Sequence, residues 1–323
     1  MKQVQFDQYG SPDVLTLVEA PIPQPNPGEV VIKVQAIGVN YSDTQRRRNM
    51  YFQLTPLPFV PGTEAVGQVV AVGDGVNEPY LPGATVLAIL PGGGGYAEYA
   101  LAPAAYCIPL PPGIDANTAT AIFVQGSTAQ LLISQVAKDL KDKTVLINAA
   151  AGGVGSLLVQ LAKMHGARVI AASSLDVKLT VAKSLGADET VNYSRPNWRE
   201  QVNNGNGVDW VFETVGGSVY TESIKCLTKG GTLFIYGCAS GEVGQVNPEY
   251  FVDENINQLG FNLAFHITTQ PQRWQEALGT VIGLIAQGKL KIDITSRFAL
   301  ADAAEAHRQI EARQTTGKVV LNP

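Results

Sequence analysis

The run "NAAAGGVGSLLVQLAKMHGARVIAASS", Asn148 to Ser174, limits the possible folds more than any other part of the chain. Val154, Leu157, Leu158, Leu161 and Ala162 recur at i, i+3, i+4, i+7 and i+8, so the stretch after the glycines is an amphipathic helix. An apolar run precedes the turn and another follows the helix, which gives strand, turn, helix, strand. Ala150, Gly152 and Gly155 take the three small positions of G-x-G-x-x-G, with alanine in the first. Gly152 lets backbone approach a pyrophosphate, and Gly155 lets the helix pack close to its strand. The helix N-terminus, with Gly153 and Val154, presents N–H donors and a partial positive charge. The pattern predicts a dinucleotide-binding βαβ unit.

Where such a unit binds NAD, an acid near the end of the second strand accepts the ribose 2′-hydroxyl. Here the strand ends Ala171-Ala172-Ser173-Ser174, and Asp176 falls two residues later, where it suits the first turn of the next helix. An acid at the strand end would repel a 2′-phosphate; serines do not. Lys178 offers a cation nearby and Tyr193 a phenolic donor. The predicted cofactor is NADPH.

After Phe123 the runs "TVLINA", "RVIAA", "ETVNY", "VDWVFET" and "GTLFIYG" alternate with helical stretches, the grammar of a doubly wound parallel sheet. The run "FNLAF" is read as a further edge strand, followed by a helix from about Gln272 to Gln287. Gly237, Ser240 and Gly241 follow the fifth strand, at the carboxyl edge where such sheets take ligands, and are expected cofactor contacts. Residues 1–120 carry short apolar runs split by Gly, Pro and Asp-Gly signals, which predict a mostly β domain. Gly92 to Gly95 read as a mobile loop between strands. The division is then 1–120, a mostly β domain; 121–287, a Rossmann domain; and 288–323, a return to the first. The fold class is α/β.

A net charge of −5 gives no reason to expect nucleic acid as the main partner. Arg46-Arg47-Arg48, the one tight basic run, reads as a solvated face. Three scattered cysteines form neither a disulfide framework nor a zinc lobe. The amino terminus has no apolar signal core, and "ALGTVIGLIAQG" is too short to span a bilayer. These features predict a soluble cytoplasmic protein acting on a small molecule.

The stretches "GVNYSDTQRRRNMY", "PGTEAVGQVVAVGDGV", "QGSTAQLL" and "AAAGGVGSLLVQLAK" resemble those of the medium-chain dehydrogenase/reductase superfamily, within it the zinc-free quinone oxidoreductases related to zeta-crystallin. The resemblance covers essentially the whole chain. It implies a GroES-like β-rich catalytic domain, a Rossmann domain and a homodimer. In these relatives a lysine, a tyrosine and a C-terminal arginine meet the 2′-phosphate; Lys178, Tyr193 and Arg313 match. Gln125 and Thr128 match a segment near the nicotinamide, although a polar helix opening explains them equally well. Zinc-dependent members carry Cys and His ligands where this chain has Asn40 and Thr63, and their four-Cys lobe is absent. His165, His266 and His307 form no spaced ligand pair, so no metal is expected. Without a Lewis acid, reduction of a quinone or an α,β-unsaturated carbonyl is the favoured chemistry, with Asn40 and Tyr51 as donors to the oxygen that gains charge. Each has a structural alternative: Asn40 as a turn residue, Tyr51 as loop packing. Asp43 and Glu64 are expected to orient loops or buried amides, not to exchange protons with substrate. Enoyl-thioester reduction, for which the arginine run is the one hint, and a non-enzymatic NADPH-binding role are the alternatives.

Overall fold

The computed structural model describes residues 1–323, apart from the side chain of Ala137. The chain divides into two compact units, Met1–Val124 with Ile292–Pro323, and Gln125–Lys291. The expected borders at 120 and 287 fall four residues short of these at each crossing.

The first unit is built on a seven-stranded sheet. Its strands run in the order Ser296–Ala299, Val319–Asn322, Glu29–Val39, Glu64–Val72, Thr85–Ile89 and Cys107–Pro109, with Tyr99–Pro103 also paired to Glu29–Val39. Glu29–Val39 is the organising strand. Lys33 and Gln35 point to solvent while Val34 and Ala36 are buried, the period-2 alternation of a half-covered strand. Beyond Ala36 both faces are buried, and the final strand of the chain pairs antiparallel there, Val319 with Val39 and Leu321 with Ile37. Val30, Ile32, Ile37, Val86, Leu300 and Leu321 belong to the core of this unit. The loop Gly92–Gly95 is pinned by its amides: Gly93 N donates to Leu90 O at 2.9 Å, Gly94 N to Val60 O at 2.8 Å and Gly95 N to Gly62 O at 3.0 Å.

The second unit carries a six-stranded, all-parallel sheet. The strands lie in the order Glu189–Asn192, Arg168–Ser173, Thr144–Ile147, Val208–Glu213, Leu227–Ile235 and Asn257–Gly260. In chain order this is 3-2-1-4-5-6, the doubly wound Rossmann arrangement, whose switch point lies between Thr144–Ile147 and Val208–Glu213. Leu146, Ile170, Val211 and Leu233 supply the sheet's share of one core cluster.

The sixth strand corrects the sequence expectation. "FNLAF" is not a strand: Asn262 caps the helix Leu263–Thr269, its side chain accepting from Phe265 N at 3.2 Å, and Asn257–Gly260 is the edge strand instead. A short apolar run fits either element by period alone, and the asparagine decides for helix. The helix Pro271–Ala286 follows. No helix among the described residues is long and apolar enough to cross a membrane.

Candidate functional site

In the second unit, the first strand of the sheet leads through Ala149, at φ 48°, into the helix Gly153–Met164, with Gly152 as its N-cap. A Cβ on Gly155 would lie 2.9 Å from Ala150 Cα, so only glycine allows this helix to sit so close to the turn. A Cβ on Gly153 would overlap the side-chain amide of Gln125, which the fold therefore brings to the helix N-terminus. Gln125 and Thr128 are both buried. The backbone has the form that a pyrophosphate requires, with unpaired amides at the start of a twelve-residue helix.

Ser173 ends the second strand and is buried, and Tyr193 N donates to its carbonyl at 3.0 Å. Ser174 follows it, and Lys178 stands half-buried in the helix Asp176–Ser184. The fold thus gathers Ser173, Ser174, Lys178 and Tyr193 around one strand end. Arg313 belongs to the other unit, at φ 57° past the helix Ala303–Glu311. Asp176 is already committed: it pairs with Arg195 at 2.6 Å and accepts from Asn192 Nδ2 at 2.8 Å. Those partners, the Asn192 hydrogen bond first, hold its carboxyl below the usual range.

At the carboxyl edge beyond the switch point, buried Glu213 accepts from Val215 N at 2.5 Å and Gly216 N at 2.6 Å, and also from Asn148 Nδ2. Burial raises its pKa against these hydrogen bonds. The turn so held receives the next loop, Ala239 N donating to Thr214 O at 2.8 Å and Ser240 N to Val215 O at 2.7 Å. Gly237 has no room for a side chain because Thr214 Oγ1 fills the space, and Gly241 has φ 75°. Gly237 and Gly241 therefore shape this edge as backbone, and the Ser240 hydroxyl accepts from Glu242 N at 3.1 Å.

In the first unit the polar residues are interior. Lys318 Nζ lies 2.5 Å from Glu64 Oε1 and 3.0 Å from Asn40 Oδ1, and Asn40 Nδ2 donates to Glu64 Oε1 at 2.8 Å. All three are buried. Glu64 Oε2 accepts from Val124 N at 3.1 Å. Gly38 makes room for this acid: a Cβ there would stand 2.7 Å from Glu64 Cγ. The ammonium fixes the amide oxygen of Asn40, so the group that Asn40 has left to offer is an N–H. Asp43 accepts from Asn40 N at 2.8 Å and Gly62 N at 3.4 Å. Burial pushes its carboxyl up to about 6, against the pull of those amides and of Lys318. Tyr96 OH lies 3.5 Å from Asp43 Oδ2 and 2.9 Å from His307 Nε2, and burial holds His307 down at about 3. Asp43 and Glu64 thus orient backbone and side chains. Lys318, Tyr96 and His307 were not legible as site residues, since their partners lie far away in sequence.

The arginine run is not the solvated face expected of it. Arg46 and Arg47 are buried. Arg47 pairs with Glu311, and Arg48 reaches the same carboxylate at 4.0 Å. The Arg46 guanidinium lies over the rings of Tyr51, 4.1 Å from its centroid, and Phe59, at 5.6 Å. Its Nε has no hydrogen-bond partner, and no ion pair joins it to a carboxylate among the described residues. Stacking on an aromatic ring contributes about 2 kcal/mol when desolvated, whereas an unpaired buried ion costs several kcal/mol. Tyr51 itself is half-buried; burial raises its phenol and Arg46 partly opposes the shift. Thr63 Oγ1 is a further buried hydroxyl without a partner.

No group of three or more His, Cys, Asp or Glu among the described residues is placed to hold a metal ion. His165 ends a helix, His266 stacks on Phe261 and His307 is buried against Tyr96. Cys107 and Cys226 are buried thiols pushed up to about 12 by burial.

Residues 26–112 match the family description "Alcohol dehydrogenase GroES-like domain", and residues 185–321 match "Zinc-binding dehydrogenase". A zinc does not fit the donors present: Asn40 and Thr63 stand at the ligand positions, and Glu64 is taken by Lys318. A quinone oxidoreductase of Pseudomonas aeruginosa is 34% identical, covering 100% of this chain and 99% of its own. A 2-haloacrylate reductase of Burkholderia is 33% identical over 97% of this chain and 96% of its own. The crystal structure of Escherichia coli quinone oxidoreductase complexed with NADPH superposes with a TM-score of 0.92 at 30% identity, covering 100% of both chains.

Proposed function

Because the chain belongs to the zinc-free quinone oxidoreductase branch of the medium-chain dehydrogenase/reductase superfamily, we propose that it reduces a quinone or an α,β-unsaturated carbonyl at the expense of NADPH. It is an oxidoreductase, and its cofactor is NADPH. The observation that carries the cofactor assignment is the strand end Ala171–Ser174, which has no acid, beside an Asp176 neutralised by Arg195. Gly152, Gly153, Val154 and Gly155 would receive the pyrophosphate. Ser173, Ser174, Lys178, Tyr193 and Arg313 would receive the 2′-phosphate. Gln125 and Thr128 are assigned to the nicotinamide side, and Gly237, Ser240 and Gly241 to the sheet's carboxyl edge.

Bound NADPH supplies the hydride. The chain's own residues stabilise charge at the acceptor oxygen. Tyr51 is a phenol, protonated at physiological pH as phenols ordinarily are and pushed further from ionisation by burial, so it is a donor. Asn40 is the second donor: Lys318 holds its amide oxygen and Glu64 takes one N–H, which leaves the other N–H to offer. The Burkholderia relative supports the activated-alkene arm, since a 2-haloacrylate is one. The thioester alternative keeps little of its hint: Arg47 pairs with Glu311, and Arg48 lies 4.0 Å from the same carboxylate. A homodimer completes the proposal, supported by the edge strand Asn257–Gly260, all of whose residues are exposed; sedimentation at monomer mass would contradict it.

Steady-state NADPH oxidation against quinones, enones and enoyl-CoA tests the assignment. Tyr51→Phe should lower turnover on the order of 10-fold or more while leaving the Kd for NADPH unchanged. Normal turnover in that variant would return Tyr51 to loop packing.

A further inference from the structure

Arg46 and Arg47 are adjacent in sequence and both buried, yet only Arg47 is matched by an acid, Glu311. Asp43, one turn before Arg46 on the same helix, is occupied by the amides of Asn40 and Gly62. The aromatic rings of Tyr51 and Phe59 engage the guanidinium face. The Tyr51 hydroxyl also hydrogen-bonds the guanidinium, while Nε, on the in-plane edge where carboxylates bind, is unpaired. A permanently charged group is thus buried beside Tyr51 without its counter-ion.

We propose that the counter-ion is the substrate: Arg46 recognises the carboxylate of a small α,β-unsaturated acid whose alkene is reduced in the site that Tyr51 lines. This rests on the assignment of Tyr51 to the acceptor site. A planar guanidinium presents parallel donors that match a carboxylate's two oxygens. Pairing also withdraws the acid's negative charge, which otherwise makes the alkene a poor hydride acceptor. With Arg46 only 6% exposed, a small carboxylate fits better than a bulky phosphate. A coenzyme A chain would also find Arg47 and Arg48 already engaged.

The test compares 2-chloroacrylate with its methyl ester as acceptors at saturating NADPH, in wild type, Arg46→Met and Arg46→Lys. Loss of one charge-assisted contact corresponds to roughly 10- to 150-fold in affinity. The acid-over-ester ratio of kcat/KM should fall by that factor in Arg46→Met, mainly through KM, and recover in part in Arg46→Lys. Calorimetry with the saturated acid 2-chloropropionate and NADP+-loaded protein should show binding in wild type and a matching loss in Arg46→Met. If Arg46→Met does not fold, wild type alone decides: binding of 2-chloropropionate but not of its ester supports the proposal. Reduction of neutral quinones or enones with no such binding overturns it while leaving the oxidoreductase assignment intact. Failure to oxidise NADPH with any acceptor would instead remove the acceptor-site assignment on which it rests.

Discussion

In the unit Gln125–Lys291 the cofactor turn is made by removing side chains. A Cβ on Gly155 would lie 2.9 Å from Ala150 Cα, and Gly153 yields its space to Gln125. In the unit formed by Met1–Val124 and Ile292–Pro323, charges are placed inside: Lys318, Glu64, Asp43, Arg46 and Arg47 are all buried. The two arrangements carry different risks. A glycine turn costs chain entropy, whereas each buried charge depends on its partner, and removal of the partner strands it in a medium of low dielectric. Removing the partner of a buried charge in the first unit should therefore act on folding, and substitutions at the proposed phosphate edge of the second mainly on affinity.

The largest effect is expected at Lys318. Lys318→Met leaves Glu64 buried without its cation and should destabilise the protein by about 3–5 kcal/mol, read as a shift in the urea midpoint at constant slope. Adding Glu64→Gln should restore much of the loss, since the stranded charge is removed with its partner. A single variant as stable as wild type would show that the pair is not held in a dry interior.

The contrasting substitution is Lys178→Ala, on a half-buried position of the cofactor edge. Stability should change far less than at Lys318, while NADPH affinity falls by roughly 10- to 150-fold. NADH affinity should stay nearly constant, having no 2′-phosphate to lose. Added salt should weaken NADPH more than NADH, because exposed phosphate contacts are screened. Equal losses for both cofactors would show the strand end to be misassigned, and Asp176, despite Arg195, would be the residue to reconsider.

The same contrast explains what the sequence made legible. The glycine turn and its helix were readable because their parts are contiguous: glycine spacing and helical period both lie between Asn148 and Ser174. The interior of the other unit was not, because Asn40 and Lys318 meet across a sequence separation of 278 residues. Nothing local marks Lys318 as interior except its place ahead of the apolar run Val319–Leu321. Arg46 was hidden for a different reason. A basic triplet is ordinarily solvated, and neither Phe59 nor the short helix that turns Arg46 inward shows in the run itself. "FNLAF" misled because hydrophobicity without period does not separate helix from strand.

The last contrast concerns pH, and it is sharpest in the first unit's interior. His307 is held at about 3 against an ordinary 6.5, so between those values the unfolded chain binds a proton that the folded chain refuses. Its contribution to stability is therefore full above pH 6.5 and is lost as pH falls toward 3. Asp43 works in the opposite sense. It titrates at about 6 when folded and at 3.8 otherwise, so the folded chain holds the extra proton and stability falls as pH rises through that window. Where the windows overlap, the two slopes oppose each other at about 1.4 kcal/mol per pH unit each, and wild type gains little from either. His307→Gln keeps a partner for Tyr96 but cannot take up a proton, so it leaves Asp43 unopposed. Every other carboxylate contributes equally to both proteins and cancels in the difference. Between about pH 4 and 6, the wild-type stability minus that of the variant should therefore rise with pH by about 1.4 kcal/mol per unit, measured from urea midpoints at several pH values. A difference that stays constant over that range would mean that His307 titrates alike in the folded and unfolded chain, and that the junction at Tyr96 is wet.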